Sequence, residues 1–335
     1  MRMRVVAAIL VATVPMTAAA DEPAPLKFAF PAPPGSWANR LGIAPWIEQV
    51  QKDAGGALTI QFFPGPALGT FRNIYDRTVA GVTDMAFGTF GELTGQFEKT
   101  SVTQLPAMST DYIPTSLALW RSFEKGVIAD EFDKVKPLAL FTFPGDGLHS
   151  PKPIKTLDDL KGLKIGVSSR IQSEAYTVAG AAPVTMIPSE TYSSVSRGLV
   201  DGVSIGWPAV YTFKLNEVTK NHLTIGIGIS PGYVFANKEM MAKLPGKARA
   251  AIERNSGEVF ARRMGTASFN ADRETRESLK KEGHGLHDLP AADRQKLRGL
   301  LAPITDAWLK STPDGARVME AYRQEVLAAA REPTQ

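Results

Sequence analysis

The chain of 335 residues contains no cysteine. No disulfide can hold its fold, and no lipid can be attached at a processed N-terminal cysteine, so an exported form must rest on a core of adequate size. Long apolar runs are missing as well. After residues 5–14, no stretch reaches the roughly 18 uninterrupted apolar residues that a membrane-crossing helix requires. Histidine is scarce: His149, His222, His284 and His287 are the full set, which leaves few players for metal or triad chemistry. Net charge is also small. The formal +4 includes Arg2 and Arg4, and without them 36 basic residues face 34 acidic ones. That balance excludes a polyanion-binding footprint.

What is present begins with an export pattern. Arg2 and Arg4, the apolar run 5–14 and Ala18-Ala19-Ala20 before Asp21 follow the order of a secretory signal peptide. Cleavage is expected after Ala20, giving a periplasmic protein of about 315 residues with no direct membrane insertion. A chain of that length usually divides into two lobes. Its 44% apolar and 21% charged residues are ordinary for a globular protein.

Strand and helix signals alternate along it. Residues 26–30 read as a strand, 31–36 as a proline-rich turn and 37–54 as an amphipathic helix closed by Gly55-Gly56. Strand 58–63, helix 71–81 and strand 82–88 follow, then a helical tract 112–135 and a strand 138–143 ending in Pro144-Gly145-Asp146-Gly147. A second series comprises helix 171–180, strand 183–186, helix 189–197 and strand 202–205. Strand 231–237 returns across a hinge, residues 240–281 hold one or two long helices, and two more helices follow Gly283. This order predicts an α/β layered fold.

Several motifs stand in a fixed order. They are Gly55-Gly56-Ala57-Leu58 with Phe63-Pro64-Gly65 and Leu68-Gly69, then Gly81-Val82-Thr83-Asp84-Met85-Ala86 and Leu105-Pro106. Leu157-Asp158-Asp159-Leu160-Lys161-Gly162-Leu163-Lys164-Ile165-Gly166-Val167 and Gly198-Leu199-Val200-Asp201-Gly202 come next, followed by Phe235-Ala236-Asn237-Lys238 and Leu244-Pro245. Together they resemble the solute-binding proteins of TRAP (tripartite ATP-independent periplasmic) transporters of the DctP type. The resemblance implies a two-lobed periplasmic binding protein, type II-like, with a hinge of crossing strands and a long lobe-spanning helix. Lobe 1 would take residues 26–146 and about 234–283. Lobe 2 would take about 147–233 and 284–328, leaving 329–335 as a tail. The implied work is capture of one small organic ligand, an organic acid first, by cleft closure. Delivery to a large and a small membrane permease subunit follows, with neither catalysis nor cofactor.

The family usually grips a carboxylate with an arginine at the end of the strand around residues 164–167, where this chain has Gly166. A second arginine, often present in the preceding crossover, is absent from Gly145-Asp146-Gly147-Leu148-His149. Arg170, after Ser168 and Ser169, is a candidate for a moved clamp, since a bidentate guanidinium suits a carboxylate and a helix start favours anions; an exposed helix-start arginine is the plainer alternative. Arg40 and Arg72 could reach the cleft from lobe 1. Trp207, at a strand end, reads as cleft wall or core, and Trp37 and Phe87 occupy analogous positions in lobe 1. Asp146 and His149 could bond hydroxyl or amine groups, and Tyr192 and Tyr211 could offer phenolic hydroxyls. A neutral or amphiphilic ligand stays open beside the acid, as does service to an ABC or signalling system.

Two enzymatic readings are weaker. Gly202-Val203-Ser204-Ile205-Gly206 matches the letters of a hydrolase elbow, yet Ser204 falls inside a predicted strand rather than on a turn. His284 and His287 lie among glycines with no matching motif, so no metal site is expected.

Overall fold

The computed structural model describes residues 24–106, 108 and 111–333; the expected signal peptide lies outside the described residues. The strands are β1 (Ala24–Phe30), β2 (Leu58–Pro64), β3 (Met85–Thr89), β4 (Val135–Thr142), β5 (Asp146–Ser150), β6 (Lys164–Val167), β7 (Ala182–Thr185), β8 (Gly202–Gly206), β9 (Asn221–Thr224), β10 (Pro231–Asn237) and β11 (Gly285–Asp288). The α-helices are α1 (Ala44–Ala54), α2 (Ile74–Val79), α3 (Tyr112–Glu124), α4 (Arg170–Val178), α5 (Thr191–Ser196), α6 (Ala209–Thr212), α7 (Leu215–Val218), α8 (Lys238–Lys243), α9 (Gly246–Asn255), α10 (Glu258–Lys281), α11 (Ala291–Ser311) and α12 (Gly315–Ala329).

These elements build two sheets, ordered β2-β1-β3-β10-β4 and β11-β9-β5-β8-β6-β7. The first is parallel over β2, β1 and β3, with β10 antiparallel between β3 and β4. In the second, β5 runs antiparallel between β8 and β9. The chain thus leaves the first sheet after β4 and returns to it as β10, so two segments cross between the lobes. The Phe143 N–H donates to the Ser230 carbonyl at 2.9 Å and ties these segments together. Helix α10 has 24 residues, about 36 Å of rise, and runs from α3 and β4 to β11.

Local chemistry explains where the predicted helices break. The tract 37–54 divides into a π-helical turn, Ala38–Ile43, and α1, because Pro45 in the first turn of α1 brings no N–H. Residues 240–281 form three helices, with Pro245 and Gly257 (φ 76°) between them. One expectation about the lobes needs correction. The resemblance places residues 284–328 wholly in lobe 2; β11 does join the second sheet, but α12 packs along α3, where Tyr322 and Val318 join the same buried core as Trp120.

Candidate ligand-binding cleft

The parallel strands of both sheets point their C-terminal ends at the gap between the lobes, the place where open α/β sheets present ligand contacts. Residues following β1, β3 and β4 meet residues following β6 and β8 around a cleft of about 720 Å³, its open mouth included. Five rings wall it: Trp37, Phe71, Phe87, Phe143 and Phe213. The rings also support one another. Trp37 and Phe87 each stand edge-on to Phe143, with centroids 6.1 and 5.9 Å apart. Such mutual packing shapes the wall before a ligand arrives. The polar lining consists of Ser36, Thr89, Asp146, Ser168, Thr212 and Ser230, and neither lysine nor arginine is among the described residues that line it.

Asp146 is the first residue of β5, nearly buried yet facing the cleft. Its Oδ2 accepts a hydrogen bond from Gln172 Nε2. Gln172 is itself oriented, because its Oε1 accepts from the Ser168 N–H at 2.9 Å and from the Ser168 hydroxyl at 3.2 Å. Burial pushes the Asp146 carboxyl up to about 7, only partly opposed by the Gln172 donor. A second acid stands behind the wall: Glu92 accepts from the Thr89 hydroxyl, and burial raises it to about 7 too.

The structure disperses the other candidates. Ser168 lines the cleft, whereas Ser169 is buried as the N-cap of α4, its hydroxyl accepting from the Gln172 N–H. Arg170 is turned away, bonded to Glu98 of lobe 1 at 3.0 Å and to Glu174 at 2.8 Å. Arg40 pairs with Glu274 at 2.8 Å in an outer groove, Arg72 lies 3.7 Å from Glu190, Tyr192 donates to Glu217 and Tyr211 donates to Glu282. Gly166 is buried inside β6, where a Cβ would lie 2.8 Å from Met186 Sδ and 2.9 Å from Val203 Cγ1. Met186 and Val203 occupy the space that a longer side chain would need.

Trp207 and His149 must be corrected as ligand contacts, for both are fully buried beneath the cleft floor. Arg276 lies over the Trp207 ring, 3.7 Å from its centroid. His149 opens a chain of three imidazoles, with His149 Nδ1 2.8 Å from His222 Nδ1 and His222 Nε2 2.8 Å from His284 Nδ1. At one end His149 Nε2 faces the Ile205 carbonyl at 3.1 Å, which can only accept; at the other, Lys220 Nζ reaches His284 Nε2 at 3.1 Å and can only donate. These ends fix every tautomer. Lys220 donates to His284, His284 to His222, His222 to His149 and His149 to Ile205, with all three rings neutral. Burial lowers His149 to about 4 and His222 to about 2, and depresses His284 as well.

Sequence reasoning did not single out Phe71, Phe143, Phe213, Thr89 or Gln172. The available signals were Phe143 at the crossover before Pro144-Gly145 and Gln172 one turn after the Ser-Ser pair that caps α4. Ser204 sits inside β8, as expected of a strand serine.

At the cleft the lobes approach backbone to backbone: a Cβ on Gly91 of lobe 1 would lie 2.3 Å from the Ser168 carbonyl oxygen of lobe 2. A fold of this form recurs in known proteins. The crystal structure of a TRAP solute-binding protein from Rhodoferax ferrireducens in complex with copurified benzoate is 26% identical and superposes with a TM-score of 0.88 over 92% of this chain and 98% of that one. A marine-metagenome TRAP solute-binding protein specific for aromatic acid ligands, 24% identical, shares the fold at a TM-score of 0.88 over 93% of this chain and all of that one. In sequence, the outer membrane transporter protein TsaT of Comamonas testosteroni is 29% identical over 342 residues, covering 98% of each chain. The family model of bacterial extracellular solute-binding proteins, family 7 (DctP), matches residues 37–311, and the chain belongs to that family of TRAP solute-binding receptors.

Proposed function

We propose that this receptor captures a small aromatic compound, its ring held between Trp37, Phe87 and Phe143. The observation that carries the reading is the wall of five rings with no cation among its described residues. Apolar rings bury well against such a surface, whereas a small dicarboxylate desolvated there without a cation would lose several kcal/mol. The benzoate-bound relative supports the ring-bearing class, and benzoate is the first compound to try. In this reading the signal peptide is removed after Ala20, the protein moves freely in the periplasm, and the closed form docks on a large and a small permease subunit. Closure is favoured when one ligand touches both lobes.

A thermal-shift titration of ligand-free protein tests the class. Benzoate and 3-hydroxybenzoate are expected to raise Tm saturably, succinate is not, and Phe143→Ala is expected to weaken aromatic binding by about tenfold or more. A saturable shift with succinate and none with any aromatic compound would overturn the proposal.

A further inference from the structure

Asp146 is the one titratable side chain among the described residues that line the cleft. Gln172 is locked by Ser168 so that its amide nitrogen faces Asp146 Oδ2, and no described protein group donates to Oδ1. The cleft therefore offers its ligand an acceptor where a carboxylate receptor would offer a cation. The charged and titratable groups around Asp146 do not change this. Tyr176 faces it from α4 and feels its charge, while Arg170 of the same helix is held by Glu98 and Glu174. His149, further along β5, is neutral in its chain, Arg276 of α10 lies on Trp207, and Glu92 is bonded to Thr89 behind the wall.

Two carboxylates cannot share such a site in ionised form, whereas two carboxyl groups with one proton between them can. Burial already holds Asp146 near half-protonation at neutral pH. We propose that Asp146 sets the specificity of the cleft by accepting a hydrogen bond from the ligand, so that the receptor takes aromatic compounds bearing a hydroxyl or amide donor and takes an aromatic acid only together with one proton. This rests on the aromatic reading given above. The proton comes from solvent or from Asp146 itself and returns on release, so no bond is made or broken beyond the shared hydrogen bond.

Isothermal titration calorimetry at pH 6, 7 and 8, in buffers of different ionisation enthalpy, counts that proton. Benzoate is expected to bind wild-type protein with uptake approaching one proton at pH 8 and with affinity falling by about fivefold between pH 7 and pH 8. Benzyl alcohol, a neutral donor, should show neither effect. In Asp146→Asn, Gln172 keeps the amide oxygen, so the amide nitrogen turns to the cleft and acceptor becomes donor. Benzoate should then bind independently of pH and at least about tenfold more tightly than in wild type at pH 8, while benzyl alcohol weakens. Benzoate binding that is constant from pH 6 to 8 without proton uptake would overturn the proposal. The wild-type proton count decides even if the variant fails to fold. If neither benzoate nor benzyl alcohol binds while another ligand class does, the aromatic reading itself falls, which is a separate result.

Discussion

The guanidinium of Arg170 reaches from lobe 2 to Glu98 of lobe 1 while keeping Glu174 on its own helix, so its donors are engaged outside the cleft. Half-exposed pairs of this kind contribute about 1 kcal/mol or less. Replacing Arg170 by alanine is accordingly expected to lower the affinity for every ligand by about two- to fivefold through weaker closure. A loss of a hundredfold confined to acids, measured by calorimetry, would instead reveal a direct clamp. At this scale the sequence was half legible. Trp37, Phe87, Asp146 and Ser168 line the cleft, Asp146 at the start of β5 and Ser168 just past the end of β6. Trp207 stands at such an end too and points below the floor, a choice made by backbone direction after Gly206 that no residue string reveals. The burial of Gly166 was not readable, since Met186 and Val203, which crowd it, come from separate stretches of the chain.

Among the elements, β5, β9 and the residue leading into β11 are stitched by the histidine chain, and this has a pH signature. His149 holds a folded value of about 4 against an ordinary value of 6.5. The unfolded chain therefore takes up protons first as pH falls. The contribution is present in full above pH 6.5 and is lost as pH drops from 6.5 towards 4, on the order of 3 kcal/mol for His149 alone. Asp146 and Glu92 act in the opposite sense, since their raised values contribute below the ordinary carboxylate range and are lost as pH rises through about 7. A variant isolates the histidines. His222→Gln keeps a donor and an acceptor without the titrating ring, so its Tm should be lower at pH 7.5 yet fall less between pH 6.5 and 5. An equal or steeper fall would remove the histidines as the cause. Long helices and apolar strands were visible in the sequence through their periodicity. The four-residue strands β9 and β11 were not, because so short an alternation is lost among loops and only the register places His222 opposite His149.

For the molecule as a whole, Gly91 and Ser168 bring the two lobes into close backbone approach beside the cleft. Any side chain at residue 91 would stand between the lobes. Gly91→Val is expected to keep the fold but stay open, so that small-angle scattering at saturating benzoate shows no compaction where wild type compacts. Because only the closed fraction binds well, apparent affinity should drop by about tenfold or more. Compaction equal to wild type would show that the contact does not limit closure. The alternation of strands and helices announced the two lobes, yet it could not show that α12 returns to α3, since a C-terminal amphipathic helix carries no label for its partner.

Phe143 joins two roles in one residue. Its ring touches the ligand space while its N–H holds Ser230 where the crossing segments meet. A guest that displaces the ring would also strain that joint. Occupancy and closure thereby become separate quantities: an oversized aromatic would sit in the receptor and leave it ajar.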